Sequence, residues 1–123
     1  FLLCKIESEN IGDGRAYGLS VDSGNLEAKW ITCKSKSQKD GAAYGLNAFG
    51  PGNSAHITGS PESYSQIKAV AETGDSRGII EQENAFLSLN YVIVTAEGKG
   101  SVESVEGTVE EAGNVKFSPP LHS

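Results

Sequence analysis

A chain of 123 residues with 37% apolar residues and 15 glycines has the size of one domain, and that composition favours short strands and tight turns over a helix bundle. The net charge of −6 comes from 10 Lys and Arg against 16 Asp and Glu with no basic stripe, which argues against nucleic acid and anionic membranes as partners. No apolar run nears the roughly 20 residues of a membrane-spanning helix, so no membrane insertion is expected, and two Cys with two distant His make no metal site and call for no cofactor.

Taken in chain order, Leu2, Cys4 and Ile6 alternate with Leu3, Lys5 and Glu7, the pattern of a half-buried strand. Residues 9–14 (ENIGDG) supply a turn. Tyr17, Leu19 and Val21 then share one strand face, and residues 22–25 (DSGN) make a second turn. A strand over 26–33, a loop at 38–41 and a strand over 43–49 lead to the breaker Gly50-Pro51-Gly52-Asn53, with a further strand over 54–58. Ser60-Pro61-Glu62-Ser63 has the marks of a helix start, and Tyr64, Ile67 and Val70 follow at helical spacing. Ile67, Ala69 and Ala71 also alternate as in a strand, so a short helix over 61–73 and a strand stand as equal readings. Segments 78–83, 85–96, 101–111 and 114–118 read as strands, with 85–96 (AFLSLNYVIVTA) apolar enough to be central. Glu103, Glu106, Glu110 and Glu111 suit an edge strand protected by charge. Pro119-Pro120 ends regular structure, leaving 119–123, with His122, as a tail.

Two segments match. Cys4–Leu19 and Cys33–Leu46 both begin Cys-Lys and end Asp-Gly-x-Ala-Tyr-Gly-Leu, and weaker matches continue to Thr32 and Thr58. The expectation is one β domain over 1–118 with an internal repeat, 4–32 and 33–58. About eight short strands with close turns predict an antiparallel β-sandwich or barrel. Cys4 and Cys33 open the two copies and are expected to form a disulfide, closing a loop of about 29 residues for roughly 3.6 kcal/mol. The bridge requires their strands to be neighbours, or to face each other across two sheets. With no Met in the chain, Phe1 is not an initiator, and a matured, secreted form is expected beside the alternative of a trimmed one.

No catalytic set emerges. His56 and His122 are the only histidines, and no Gly-x-Ser-x-Gly elbow is present. Arg77 has no His after it until His122, which rules against a guanyl-specific ribonuclease pattern. Paired carboxylates for a small hydrolase are readable anywhere among so many acids. Sugar binding is the more specific chemistry: aromatic faces stack on the apolar face of a sugar while Asn and Asp hold its hydroxyls. Tyr17 and Tyr44 hold equivalent positions in the repeat, but each shares a strand face with a Leu, which favours the core. Trp30 points opposite to Ile31 and Cys33, and His56 takes the corresponding place in the second copy. These four residues are the candidate ligand-binding set.

The short, acidic, Gly-rich and β-patterned chain, with one expected disulfide, resembles the small secreted proteins of filamentous fungi, among them cell-wall proteins, elicitors and effectors. That resemblance implies an extracellular, non-enzymatic protein that acts by binding a protein receptor or a cell-wall glycan, in the manner of an elicitor, effector or toxin. A carbohydrate-binding module or small lectin is the alternative, and a carboxylate-dependent hydrolase the second alternative.

Overall fold

The computed structural model describes residues 4–120; Phe1, Leu2 and Leu3, and the tail segment 121–123 with His122, lie outside the described residues. Eleven strands follow one another: β1 (Cys4–Asn10), β2 (Arg15–Val21), β3 (Asn25–Lys29), β4 (Ile31–Ser37), β5 (Ala42–Phe49), β6 (Ser54–Thr58), β7 (Ser65–Ala71), β8 (Ser76–Gln82), β9 (Phe86–Glu97), β10 (Val102–Glu106) and β11 (Glu111–Ser118). Every pairing between them is parallel. Strand β1 pairs with β4, β2 with β5 and β3 with β6, so the chain returns to the same lateral position after three strands. It winds as a coil with three faces, each turn stacked on the last, which is a parallel β-solenoid.

The first face is the stack β1, β4, β7 and the second half of β9. The second is β2, β5, β8 and β10. The third is β3, β6 and the first half of β9. β9 serves two faces because the chain bends within it at Tyr91, whose φ is +55°. β11 pairs along both halves of β9 and bends in the same way at Asn114, φ +53°.

This overturns the expected antiparallel sandwich or barrel. The alternation of strands and turns is the same in both architectures; what differs is the direction of pairing, which short turns do not reveal. Two-residue hairpins join antiparallel neighbours, whereas here each turn carries the chain round a corner to the next face, and the parallel partner lies one whole coil away. The helix reading of 61–73 is also corrected: Ser65–Ala71 is strand β7, inserted between β4 and β9. Its period-two burial, with Ser65, Ile67, Ala69 and Ala71 inside, outweighs the helix-start signal at Ser60. Ser60 and Ser63 instead pair with each other across a tight loop.

The interior is built from columns. Ile6, Cys33, Ile67, Val94 and Phe117 stack on the first face; Leu46, Ile79 and Val105 come from the second, and Ile57 and Leu89 from the third. Of these, Leu46, Ile57, Ile67, Ile79, Leu89, Val94 and Val105 belong to the main core cluster, with Phe117 packed against it. Where the first and second faces converge, Gly18, Gly45 and Gly78 lie against Cys33, Ile67 and Val94 with no room for a side chain, and Ala43, Ala69 and Ala71 form a small cluster of their own. A Cβ on Gly45 would lie 2.5 Å from the Gly78 carbonyl oxygen and 2.6 Å from Ile67 Cγ2.

The disulfide does not form; both cysteines are free, Cys4 exposed and Cys33 buried. The register explains why. Tyr17 pairs with Tyr44 and Leu19 with Leu46, and the same offset sets Cys4 opposite Ile31 and Ile6 opposite Cys33. The Cys-Lys match is two residues out of step with the coil. Two residues along a strand and one strand across put the Cα atoms about 8 Å apart, beyond the roughly 7 Å that a bridge tolerates. With the bridge gone, the argument from cysteines to secretion goes too.

Candidate functional site

The corner between the third and first faces carries an aromatic ladder. Trp30, Tyr64 and Tyr91 each stand immediately before the residue that opens a first-face segment, namely Ile31, Ser65 and Val92. The register of those segments makes the three equivalent positions on successive coils, with Asn114 taking the fourth place before Val115. Tyr64 and Tyr91 meet edge to face, ring centroids 5.6 Å apart. Trp30 donates its indole N–H to Ser60 Oγ at 3.3 Å, and its backbone N–H to the Thr58 carbonyl at 3.1 Å. Ser65 fixes the corner from inside: its hydroxyl donates to the Thr58 carbonyl and accepts the Ile31 N–H at 3.0 Å.

Backbone conformation marks two of the three rungs, as it does Lys39, Glu83 and Asn84 elsewhere. Trp30 has φ +57° and Tyr91 φ +55°. Bulky side chains rarely adopt the left-handed region, which costs of order 1–3 kcal/mol for a non-glycine residue. Gly or Asn would turn the same corner with less strain, as Asn114 does. Strain of this kind held by large aromatic residues is a mark of a functional surface.

Cations flank the ladder. Lys29 Nζ lies 4.5 Å from the Trp30 ring centroid, and Lys116 Nζ 5.1 Å from that of Tyr64. On the third face, Glu27, Ala28, Lys29, His56 and Thr58 line a shallow recess of about 350 Å³. The His56 ring lies 5.5 Å from that of Phe86, which is 37% exposed.

The four residues expected from the sequence therefore divide between two places. Trp30 stands on the ladder and His56 in the adjoining recess, although His56 pairs with Glu27 and is not the counterpart of Trp30. Trp30 escapes the alternation of Leu26 and Ala28, which pack against the core, because its positive φ turns the chain. Tyr17 and Tyr44 lie on the second face, where their rings stack at 5.1 Å. Neither belongs to the core clusters, yet Tyr44 is buried, covered on the outside of the coil by its neighbours along the stack. Burial pushes the Tyr44 hydroxyl above its ordinary pKa. In the next coil the register brings Arg77 beside Tyr44 and Glu103 beside Arg77. The Arg77 guanidinium is held by Glu106 at 2.8 Å, Glu103 at 3.5 Å and the Ser101 carbonyl at 2.8 Å. Burial works to lower the Arg77 pKa, but the Glu106 hydrogen bond and the two carboxylates raise it on balance. That cluster is internally satisfied.

Tyr64, Tyr91, Lys29 and Lys116 were not legible as site residues. The available signal was an aromatic placed directly before a β-patterned run, in Trp30-Ile31, Tyr64-Ser65 and Tyr91-Val92. It becomes visible only when the coil register is known. Among the described residues no group of three or more His, Cys, Asp or Glu is gathered to hold a metal ion. No family model, no curated protein and no solved structure matches the chain.

Proposed function

We propose that this protein is a non-enzymatic binding module that holds a linear glycan along the ladder Trp30, Tyr64 and Tyr91. The observation that supports this reading is the placement of three aromatic residues at equivalent corner positions of successive coils, two of them in a strained backbone conformation. Coils repeat at about 4.8 Å, so the three corner positions run in line along the solenoid axis, with the Tyr64 and Tyr91 rings edge to face, and a chain of pyranose rings can follow that line. Sugar C–H faces pack on the rings, and the recess with Glu27, His56 and Thr58 offers partners for hydroxyl groups.

Trp30 is the only tryptophan, so its fluorescence reports on this surface alone. Titration with a panel of soluble linear polysaccharides, charged and neutral, should change that fluorescence for at least one class, and Tyr91→Asn should weaken the response about tenfold. Silence across the panel overturns the reading. A protein receptor is the second reading, favoured by the outer edges of β2 and β10, which end the second-face sheet, have no strand partner among the described residues and offer backbone groups for strand addition. A receptor bound equally well by the parent and by Tyr91→Asn would support it.

A further inference from the structure

The chemistry over the first two rungs of the ladder narrows the ligand class. Lys29 and Lys116 each rest over an aromatic ring, and neither makes an ion pair among the described residues. Among the described residues Lys5, Lys68 and Arg77 have carboxylate partners and several other Lys do not; what sets Lys29 and Lys116 apart is the aromatic ring each lies over. Lys29 lies at the end of β3 in the first coil, and Lys116 beyond the last corner in β11. Three coil spacings separate their backbones, roughly 14 Å along the axis, but the ammonium groups stand closer, because Lys116 reaches back over Tyr64, one coil from Trp30.

We propose that the ladder takes an anionic glycan, a polymer bearing a carboxylate or sulfate on its sugar rings, with Lys29 and Lys116 as the two charge-reading residues. This rests on the ladder being the glycan site. A cation held against a ring places its charge beside the apolar platform, so an anionic group that reaches the ammonium brings its own sugar ring down on the aromatic. The two interactions then reinforce each other at the same rung. A neutral polymer would gain only the platform and would leave the ammonium groups to water. Glu27 in the recess and Glu62 on the loop after Ser60 are the opposing charges nearby.

The test compares four probes on the intact chain by calorimetry: polygalacturonate, a sulfated galactan, a neutral linear β-glucan, and single-stranded RNA. The expected result is binding to one or both anionic glycans at least tenfold tighter than to the neutral one, weakened several-fold by raising salt from 20 to 200 mM. The polygalacturonate and sulfated arms tell carboxylate from sulfate. Lys29→Gln and Lys116→Gln keep the aromatic platform and should each cost the anionic polymer about three- to tenfold more than the neutral one. Thermal melting of both variants checks that the fold is intact. Equal affinity for neutral and anionic glycans overturns the charge proposal and leaves the ladder reading standing. Binding to none of the glycans overturns both. RNA bound as tightly as the best glycan overturns the ligand class, since stacked aromatics with lysines also suit nucleobases.

Discussion

Tyr64 and Tyr91 sit one coil apart and meet edge to face at 5.6 Å. The contact links the loop between β6 and β7 to the bend inside β9, so it bears on both binding and stability. Aromatic pairs of this geometry contribute about 0.5–1.5 kcal/mol beyond area burial. A double-mutant cycle with Tyr64→Leu and Tyr91→Leu should return a coupling in that range from urea unfolding. A coupling near zero would mean that the loop bearing Tyr64 is held by its Ser60–Ser63 pairing instead.

Cys33 is fully buried, and burial pushes its thiol up to about 11 from an ordinary 9.0. The folded state therefore favours the neutral thiol. That contribution is complete below about pH 9 and is lost as pH rises through 11, up to about 3 kcal/mol for a shift of about two units. Stability of the parent should fall more steeply between pH 8 and 11 than that of Cys33→Ala. At pH 8 a thiol reagent should label Cys4 alone, with the second equivalent appearing only on unfolding. Reducing agent should leave the melting temperature unchanged. Two thiols labelled at once in the folded protein would contradict the buried position.

The glycine column at the junction of the first and second faces makes a sharper test of the coil. Gly45→Ala would push a methyl group against the Gly78 carbonyl and Ile67. Overpacking of this kind costs typically 1–3 kcal/mol, and here backbone of the next coil must move. Gly12→Ala is the control, because a Cβ there meets nothing closer than 4.0 Å and its φ is unstrained. Urea midpoints should drop for the first and hold for the second. An unchanged midpoint for Gly45→Ala would mean that the faces do not converge there.

That column explains what the sequence revealed and what it hid. Gly18-Leu19 and Gly45-Leu46 stand in both copies of the Asp-Gly-x-Ala-Tyr-Gly-Leu motif because each coil turns inward there, and the motif set the true coil offset between Tyr17 and Tyr44. Its third occurrence, Gly74-Asp75-Ser76-Arg77-Gly78-Ile79, is disguised, since Arg77 replaces the tyrosine. The fourth is more distant still, with Ser104 in place of glycine and Val105 in place of leucine. Strand positions were therefore readable from alternation and turn residues, whereas pairing direction was not. A two-copy repeat fits a pseudo-symmetric sandwich as well as two turns of a solenoid, and only a third copy separates them. The Cys-Lys coincidence then pulled the alignment two residues off and suggested a bridge. Site residues suffered in the same way: Trp30 stood out as the only tryptophan, but Tyr64 and Tyr91 acquire meaning only as rungs beside it.

The ladder's backbone strain leads to the prediction that best separates a binding surface from a structural corner. Trp30 at φ +57° occupies a place that Asn114 occupies at φ +53° three coils further along the same edge. Asn enters the left-handed region at little cost, so Trp30→Asn relieves strain of order 1–3 kcal/mol. Against this it loses the indole hydrogen bond to Ser60 and the Lys29 cation–π contact, together about 1–2 kcal/mol at a half-exposed site. The terms nearly cancel, and the urea-derived stability of Trp30→Asn should stay within about 1 kcal/mol of the parent. Binding has no such compensation. Removing an aromatic anchor from a contact typically costs about 2 kcal/mol or more, so calorimetric affinity for the preferred polymer should fall by roughly thirtyfold. A variant that unfolds readily yet binds as before, once folded, would show that Trp30 is there to close the corner and would remove it from the site.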